Sequence, residues 1–321
     1  MTNIQRYRLL TQAGFFVLFI LAPVFDLFRL DLNLKHFFFL GMHWTLGLDD
    51  FVTGKIDSTQ AALNLLLRGA LPIFGTIALG VGVSWKYGRL YCGWLCPHFS
   101  VVETINQLMH RTIGKQSLWD QHDLPEKNAD GIRTHPNKFY WLVLLPLVSA
   151  FSFVWALALL TYLLPPVEIY GNLWHGALTR NQSVFLSVGT IAFFVEFMFA
   201  RHLFCRYACA VGLFQSLAWM ANRKAMVVGF NRHRAADCVD CNAACNNICP
   251  MRLHPRSIKR QMFTCTQCGQ CIDACSKVQS GNPQGTLLKW VENDCALDKS
   301  ARDFGQHIDI PTHCYQPENK R

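Results

Sequence analysis

The sequence predicts an all-α membrane fold of about four transmembrane helices in two repeats, followed by a small α+β domain organised by cysteines. Three observations predict it: apolar runs that recur between residues 9 and 200, a short motif repeated at an offset of 113 residues, and eight cysteines within 38 residues. The implied division is a membrane domain over 1–220, a cysteine domain over 221–285 and a polar C-terminal tail over 286–321.

The candidate spans are residues 9–28, 63–84, 139–164 and 183–200. Each is close to the about 20 helical residues that a hydrocarbon core requires. Pro23 and Asp26 lie in the first, with Asp26 near the end where an interface would solvate it. The first run is long and no small-residue cleavage site follows it, so it is expected to stay as an anchor and not as a removed leader.

Charge orients the chain. Four spans put both termini on one side, and that side carries 25 Lys and Arg against 4 on the other, with Arg68 inside a span set aside. Positive residues mark the cytoplasmic face, so both termini and the cysteine domain are expected there, in a multi-pass protein of a bacterial inner membrane. The formal charge of +9 is then topology, not nucleic-acid affinity. Cysteines on a reducing face are expected as thiolates or metal ligands, not disulfides.

The repeat sets Arg89-Leu-Tyr-Cys92-Gly-Trp-Leu-Cys96-Pro97 against His202-Leu-Phe-Cys205-Arg-Tyr-Ala-Cys209-Ala210. Each copy follows a span, and each leads into a stretch with apolar residues at helical spacing, 99–111 and 212–223, expected to lie on the membrane surface. Cysteines at i and i+4 share a helical face, so Cys92, Cys96, Cys205 and Cys209 could supply four thiolates to one redox or copper site. Small buried cysteines that pack helix ends would give the same spacing.

Cys238, Cys241, Cys245 and Cys249, followed by Pro250, form one quartet, and Cys265, Cys268, Cys271 and Cys275 the other. Paired quartets of this kind hold two [4Fe-4S] clusters in ferredoxin-like domains, with the fourth ligand of each cluster coming from the other quartet. One cluster would take Cys238, Cys241, Cys245 and Cys275; the other would take Cys265, Cys268, Cys271 and Cys249. Three residues separate Cys241 from Cys245 where two are usual, and Ser276 stands where a proline often ends the second quartet. Two tetrahedral zinc sites are the competing reading. Cys295 and Cys314 have no spacing partner and are expected in surface or packing roles, as is the weakly metal-like run from His307 to Cys314.

Lys35-His-Phe-Phe-Phe-Leu-Gly-Met, Gly88 to Pro97, Phe204-Cys-Arg-Tyr-Ala-Cys209 with Phe214-Gln-Ser216, and Cys271-Ile-Asp-Ala-Cys275 follow one another over about residues 30–280. In these the chain resembles the membrane polyferredoxins of the FixG/CcoG cytochrome oxidase accessory group and, more distantly, proteins of the NapH and NosR type. The resemblance implies cytoplasmic clusters that pass electrons and, in the accessory group, a role in copper handling with oxidase assembly proteins as partners. Members of that group usually continue into a further membrane helix and a periplasmic immunoglobulin-like domain, whereas residues 286–321 read as a tail. His98 stands where the group tends to have Gln, and Ala210 replaces the second proline.

Among the polar residues of the membrane half, Glu196 would relay protons or pair with Arg201 or Arg206. Met42-His43-Trp44 and Trp174-His175 fall in equivalent outer loops. They could ligate copper, line a quinone pocket, or form an interfacial aromatic belt. Three functions follow: an electron carrier that reduces Cu(II) to Cu(I), a redox-sensing assembly scaffold, and a quinol-linked subunit feeding a periplasmic reductase. The electron donor and acceptor are open in each.

Overall fold

The computed structural model describes residues 3–33, 36–238, 241–300 and 314. Among the described residues three helices are long and apolar enough to cross a membrane: Ser58–Tyr87, Lys138–Leu163 and Arg180–Ala208. They match the last three expected spans, the middle one ending at Leu163, one residue short of the expected bound. None of the 18-residue apolar core of Ser58–Tyr87 is buried, so its side chains face outward as a lipid-facing surface would require.

The expected span over 9–28 is corrected. Its helix runs from Asn3 to Leu21, and after a turn the chain enters strand β1, Phe28–Asp31. Pro23 accounts for the stop, because proline disfavours helical geometry in the residue before it. The helix is also inverted: Gln5, Arg8 and Gln12 are buried while Tyr7, Leu9, Leu10 and Val17 are exposed. β1 pairs antiparallel with β2, His36–Phe39, which pairs with β3, Met42–Trp44. The membrane half is therefore not purely helical.

Contacts gather the chain into two compact units. One unit comprises Gly14–Gly80 and Pro146–Met198. At its centre the Trp155 ring meets Phe16, Phe19, Phe193 and Phe197 at centroid distances of 5.0–6.5 Å. A Cβ on Gly189 would stand 3.2 Å from that of Ala156, a close approach that small residues permit between membrane helices. Near the sheet, Arg29 is buried between Asp26 and Asp31, the latter at 2.7 Å, and lies over the Phe38 ring.

The other unit comprises the described residues up to Ala13, Val81–Leu145 and the described residues from Phe199 onward. Its bounds cut across the expected line at 220, because both cysteine turns share a unit with the cysteine domain. Helix Pro97–Ile113 is a core helix here, burying Phe99, Val101, Val102, Ile105 and Met109, and not the surface-lying element expected. Gly114 ends it in the left-handed conformation that glycine adopts at no steric cost. Helix Ala210–Ala221 does the opposite, burying Gly212, Ser216 and Trp219 while Val211, Phe214 and Leu217 face outward. Residues 286–300, expected in a tail, are part of the fold: β5, Leu288–Val291, pairs antiparallel with β4, Val227–Phe230. Cys295 and Cys314 are likewise corrected. They form a disulfide with Cα atoms 5.6 Å apart, within the span such a bond bridges. Residues 307–313 of the weakly metal-like run lie outside the described residues.

Candidate iron-sulfur centres and the cysteine turns

Each quartet splits between two cavities because a short helix carries the chain from one to the other. Cys245 lies in helix Ala244–Asn247 at the first cavity, and the chain leaves that helix to bring Cys249 to the second. Cys271 starts helix Gln270–Val278 at the second cavity, and Cys275, one turn on, reaches the first. Cys238, Cys241, Cys245 and Cys275 thus line one cavity with Phe230 and Leu288. Cys249, Cys265, Cys268 and Cys271 line the other with Val228, Met251 and Met262.

The donor sets fit [4Fe-4S] clusters. Each offers four thiols in an apolar shell, and a cube held by four thiolates carries net negative charge that nearby cations would balance. Arg256 lines the first cavity beside Cys238. Arg252, Arg8 and Arg89 act on the thiols of Cys249, Cys268 and Cys265 respectively. Among the described residues no three His, Cys, Asp or Glu converge as a single ion would require. Burial pushes the Cys245 and Cys249 thiols up to about 11, the Cys265 thiol up to about 12, and that of Cys271 well above its ordinary range. Without a metal these groups are neutral, and loading must displace their protons.

The two cysteine turns are built alike. Cys92 lies in helix Leu90–Trp94 and Cys205 in the π-helical segment Phe204–Ala208. Cys96 and Cys209 each sit in extended backbone as the N-cap of the next helix, Pro97–Ile113 and Ala210–Ala221. The expected sharing of one continuous helical face is therefore corrected: the second cysteine of each pair has left the helix. The pairs nevertheless share one neighbourhood, since the charge of Cys209 acts on the thiols of both Cys92 and Cys96. Cys96 and Cys205 pack on the Phe99, Met251 and Leu253 cluster, which also receives Cys249 and Cys265 of the second quartet.

Sequence reasoning missed Arg89, although it stands three residues before Cys92. Only 1% exposed, it donates from Nε to Ser216 Oγ at 2.6 Å and from Nη1 to the Cys205 carbonyl at 3.0 Å. Burial pulls the guanidinium below its usual range, while the thiols of Cys92, Cys205, Cys209 and Cys265 pull it back. Arginine keeps its charge in such a place, so one buried cation serves both turns. Gly93 lets the first turn approach the second quartet: a Cβ there would strike the Thr266 carbonyl, and Trp94 Nε1 donates to the Gln267 carbonyl at 3.1 Å.

Other singled-out residues belong to the unit of Gly14–Gly80 and Pro146–Met198. Glu196 opens a π-helical segment, Glu196–Ala200, of the third span. His43 packs on Phe38 in the small sheet, with ring centroids 4.5 Å apart, and Met42 is exposed. Trp174 ends helix Pro166–Trp174 and is exposed, with His175 Nδ1 2.8 Å from the Gly171 carbonyl.

Comparison with known proteins finds its family match over the cysteine turns. A family model described as a 4Fe-4S binding domain matches twice, over residues 69–116 and 182–226, stretches that contain Cys92/Cys96 and Cys205/Cys209. YccM of Escherichia coli (strain K12) is 24% identical over 226 residues, 70% of this chain and 56% of YccM, so the match spans little more than half of that relative. The ferredoxin-type protein NapH of Haemophilus influenzae is 22% identical over 84% of this chain and 86% of its own. NapH of Escherichia coli (strain K12) is 21% identical over 71% and 74%. No solved structure matches. The chain thus carries two matches to a 4Fe-4S binding domain and is similar to ferredoxin-type proteins of the NapH kind.

Proposed function

We propose that this protein is an electron relay in which two crosswise cysteine quartets hold [4Fe-4S] clusters and the paired cysteine turns form the site where electrons leave or enter. When bound, such clusters supply single electrons and little other chemistry. The observation that carries the reading is the shared core: Cys249 and Cys265 of one quartet pack on the same three apolar residues as Cys96 and Cys205 of the turns. That contact keeps the path short and dry. Arg89 holds the turns together and sets a positive charge where metal thiolates would be negative.

For the substrate we favour copper. Thiolates are soft ligands that prefer Cu(I), so the turns would hold Cu(II) as it takes one electron and becomes Cu(I). The NapH likeness favours a second reading, a quinol-linked subunit whose exposed apolar helices meet the substrate in the bilayer. The excess of Lys and Arg favours the cytoplasmic face for the cluster-bearing unit. A reporter after Lys127 should then respond on that face, and one after His175 on the other.

The test is iron and acid-labile sulfide analysis with low-temperature EPR of the reduced protein, followed by turnover. Two clusters require about eight irons. Cys92→Ser that keeps those irons should abolish Cu(II) reduction. Two zincs without paramagnetism would end the cluster reading, and unchanged copper turnover would remove the turns from the path.

A further inference from the structure

Two cysteines that neither the quartets nor the turns employ, Cys295 and Cys314, are joined by a disulfide within the cluster-bearing unit. Thiols in the cytoplasm are kept reduced, and the disulfides found there are usually transient and either catalytic or redox-sensing. On the orientation favoured above, the same holds for this bond.

The chain delivers the disulfide to one particular core. Val227 of β4 pairs with Val291 of β5. Just past β5, Asn293 adopts φ 57 and donates from its backbone N to the Lys224 carbonyl at 2.9 Å, a turn that leads into Cys295 and Ala296. Cys295 packs on the buried cluster of Trp219, Ala225, Val227, Met262, Val291 and Ala296, and Cys265 of the second quartet packs on that same cluster. Met262 belongs to both settings. It is buried in this core, lines the cavity of the second quartet, and its carbonyl accepts from Cys265 N at 2.8 Å.

These surroundings suit electron transfer better than thiol exchange. Exchange requires a thiolate to reach a sulfur, whereas Cys314 is 3% exposed and Cys295 half-buried. An electron needs only a short packed path. Lys259 adds a cation beside it: Nζ lies 4.4 Å from the Trp219 ring centroid and donates to the Trp219 and Asn222 carbonyls at 2.9 and 2.6 Å. A positive charge fixed in a dry core favours the negative charge that arrives with each electron.

We infer that Cys295–Cys314 is a further redox centre, a two-electron store filled from the cluster of the second quartet. The step balances. Each of the two reduced clusters gives up one electron, that of the first quartet passing through the second; the S–S bond breaks, two protons enter from solvent on the side of Cys295, and two thiols form as both clusters return to the oxidised state. The reverse step releases the electrons as a pair, so a relay of single electrons can serve a two-electron acceptor. The inference rests on the relay reading and adds a centre to it.

The experiment reduces the full-length, iron-loaded protein in detergent with an electrochemically reduced viologen, which transfers electrons but cannot exchange thiols. Cluster reduction is followed by EPR, and after denaturation in an alkylating agent the peptides carrying Cys295 and Cys314 are weighed. Both cysteines should be blocked to alkylation before reduction and alkylated after it, and should stay blocked in chelator-stripped protein treated alike. Coulometry should count about four electrons per chain, against about two for a Cys295→Ser/Cys314→Ser double variant that keeps its iron. Clusters that reduce while the disulfide stays closed, equal opening in stripped protein, free thiols before reduction, or equal electron counts in the two proteins would each overturn the inference and leave the relay intact. Absence of iron from the protein would sink the relay reading, and this inference with it.

Discussion

Gly93 shows how a single residue joins the cysteine turns to the quartets. An alanine Cβ would collide with the Thr266 carbonyl oxygen and stand 3.1 Å from Thr266 C and 3.3 Å from Cys268 N, all backbone that cannot rotate away. Thr266 sits between Cys265 and Cys268, so any yielding moves two expected ligands of one cluster. Gly93→Ala should therefore cost about 1–3 kcal/mol, the usual range for overpacking. It should also lower the iron retained, measured as iron per chain after purification, while Gly75→Ala, where nothing lies within 4 Å, should not. Equal iron in the two variants would detach the turn from the quartet. Nothing in the Cys-Gly-Trp sequence announces this contact, since it depends on a loop that lies 173 residues further on.

At the scale of elements, the first helix carries the sharpest consequence of inverted packing. Its inward stripe is polar: Arg8 pairs with Glu103, Arg8 Nε donates to the Gly93 carbonyl at 2.7 Å, Gln12 Nε2 to Glu103 at 2.9 Å, and Gln5 Nε2 to the Cys268 carbonyl at 2.9 Å. Removing one partner of a buried pair leaves an uncompensated charge, a loss of about 3–5 kcal/mol, whereas replacing both with apolar residues is often neutral. Glu103→Ala should accordingly lower the melting temperature strongly, and Arg8→Met/Glu103→Leu should recover most of it. A single variant that melts like the parent would show that the stripe does not hold the helix. The stripe was legible as Gln5, Arg8 and Gln12 at helical spacing, and Pro23 marked the helix end. Hydropathy alone hid both by drawing one span across 9–28. The crosswise quartets were written in their spacing, because cluster chemistry constrains neighbouring residues. β4 pairing with β5 was not, because two four-residue strands some 60 positions apart leave no local period.

Across the whole molecule, the quartet loops are the hub of their unit. Three separate stretches of chain reach them: Gln5 at the Cys268 carbonyl, Gln116 at the Asn247 carbonyl, and Ser216, whose hydroxyl donates to the Phe263 carbonyl at 2.7 Å. Metal loading should thus be coupled to the folding of this unit, as it is wherever a site exists only in the folded chain. The sign of the pH effect follows from the buried thiols. Their folded values, about 11 for Cys245 and Cys249 and about 12 for Cys265, lie above the 9.0 of an ordinary thiol. Between those limits the folded, metal-free protein binds more protons than the unfolded chain, so stability falls as pH rises. Chelator-stripped protein should hold its full stability below pH 9 and lose it progressively from pH 9 towards 12, read as the melting temperature at each pH. Loaded protein has already surrendered those protons and should lack that slope, and the difference between the two curves isolates the ligand thiols from every other group that titrates in the window. Parallel curves for stripped and loaded protein would mean that these cysteines do not ligate the metal.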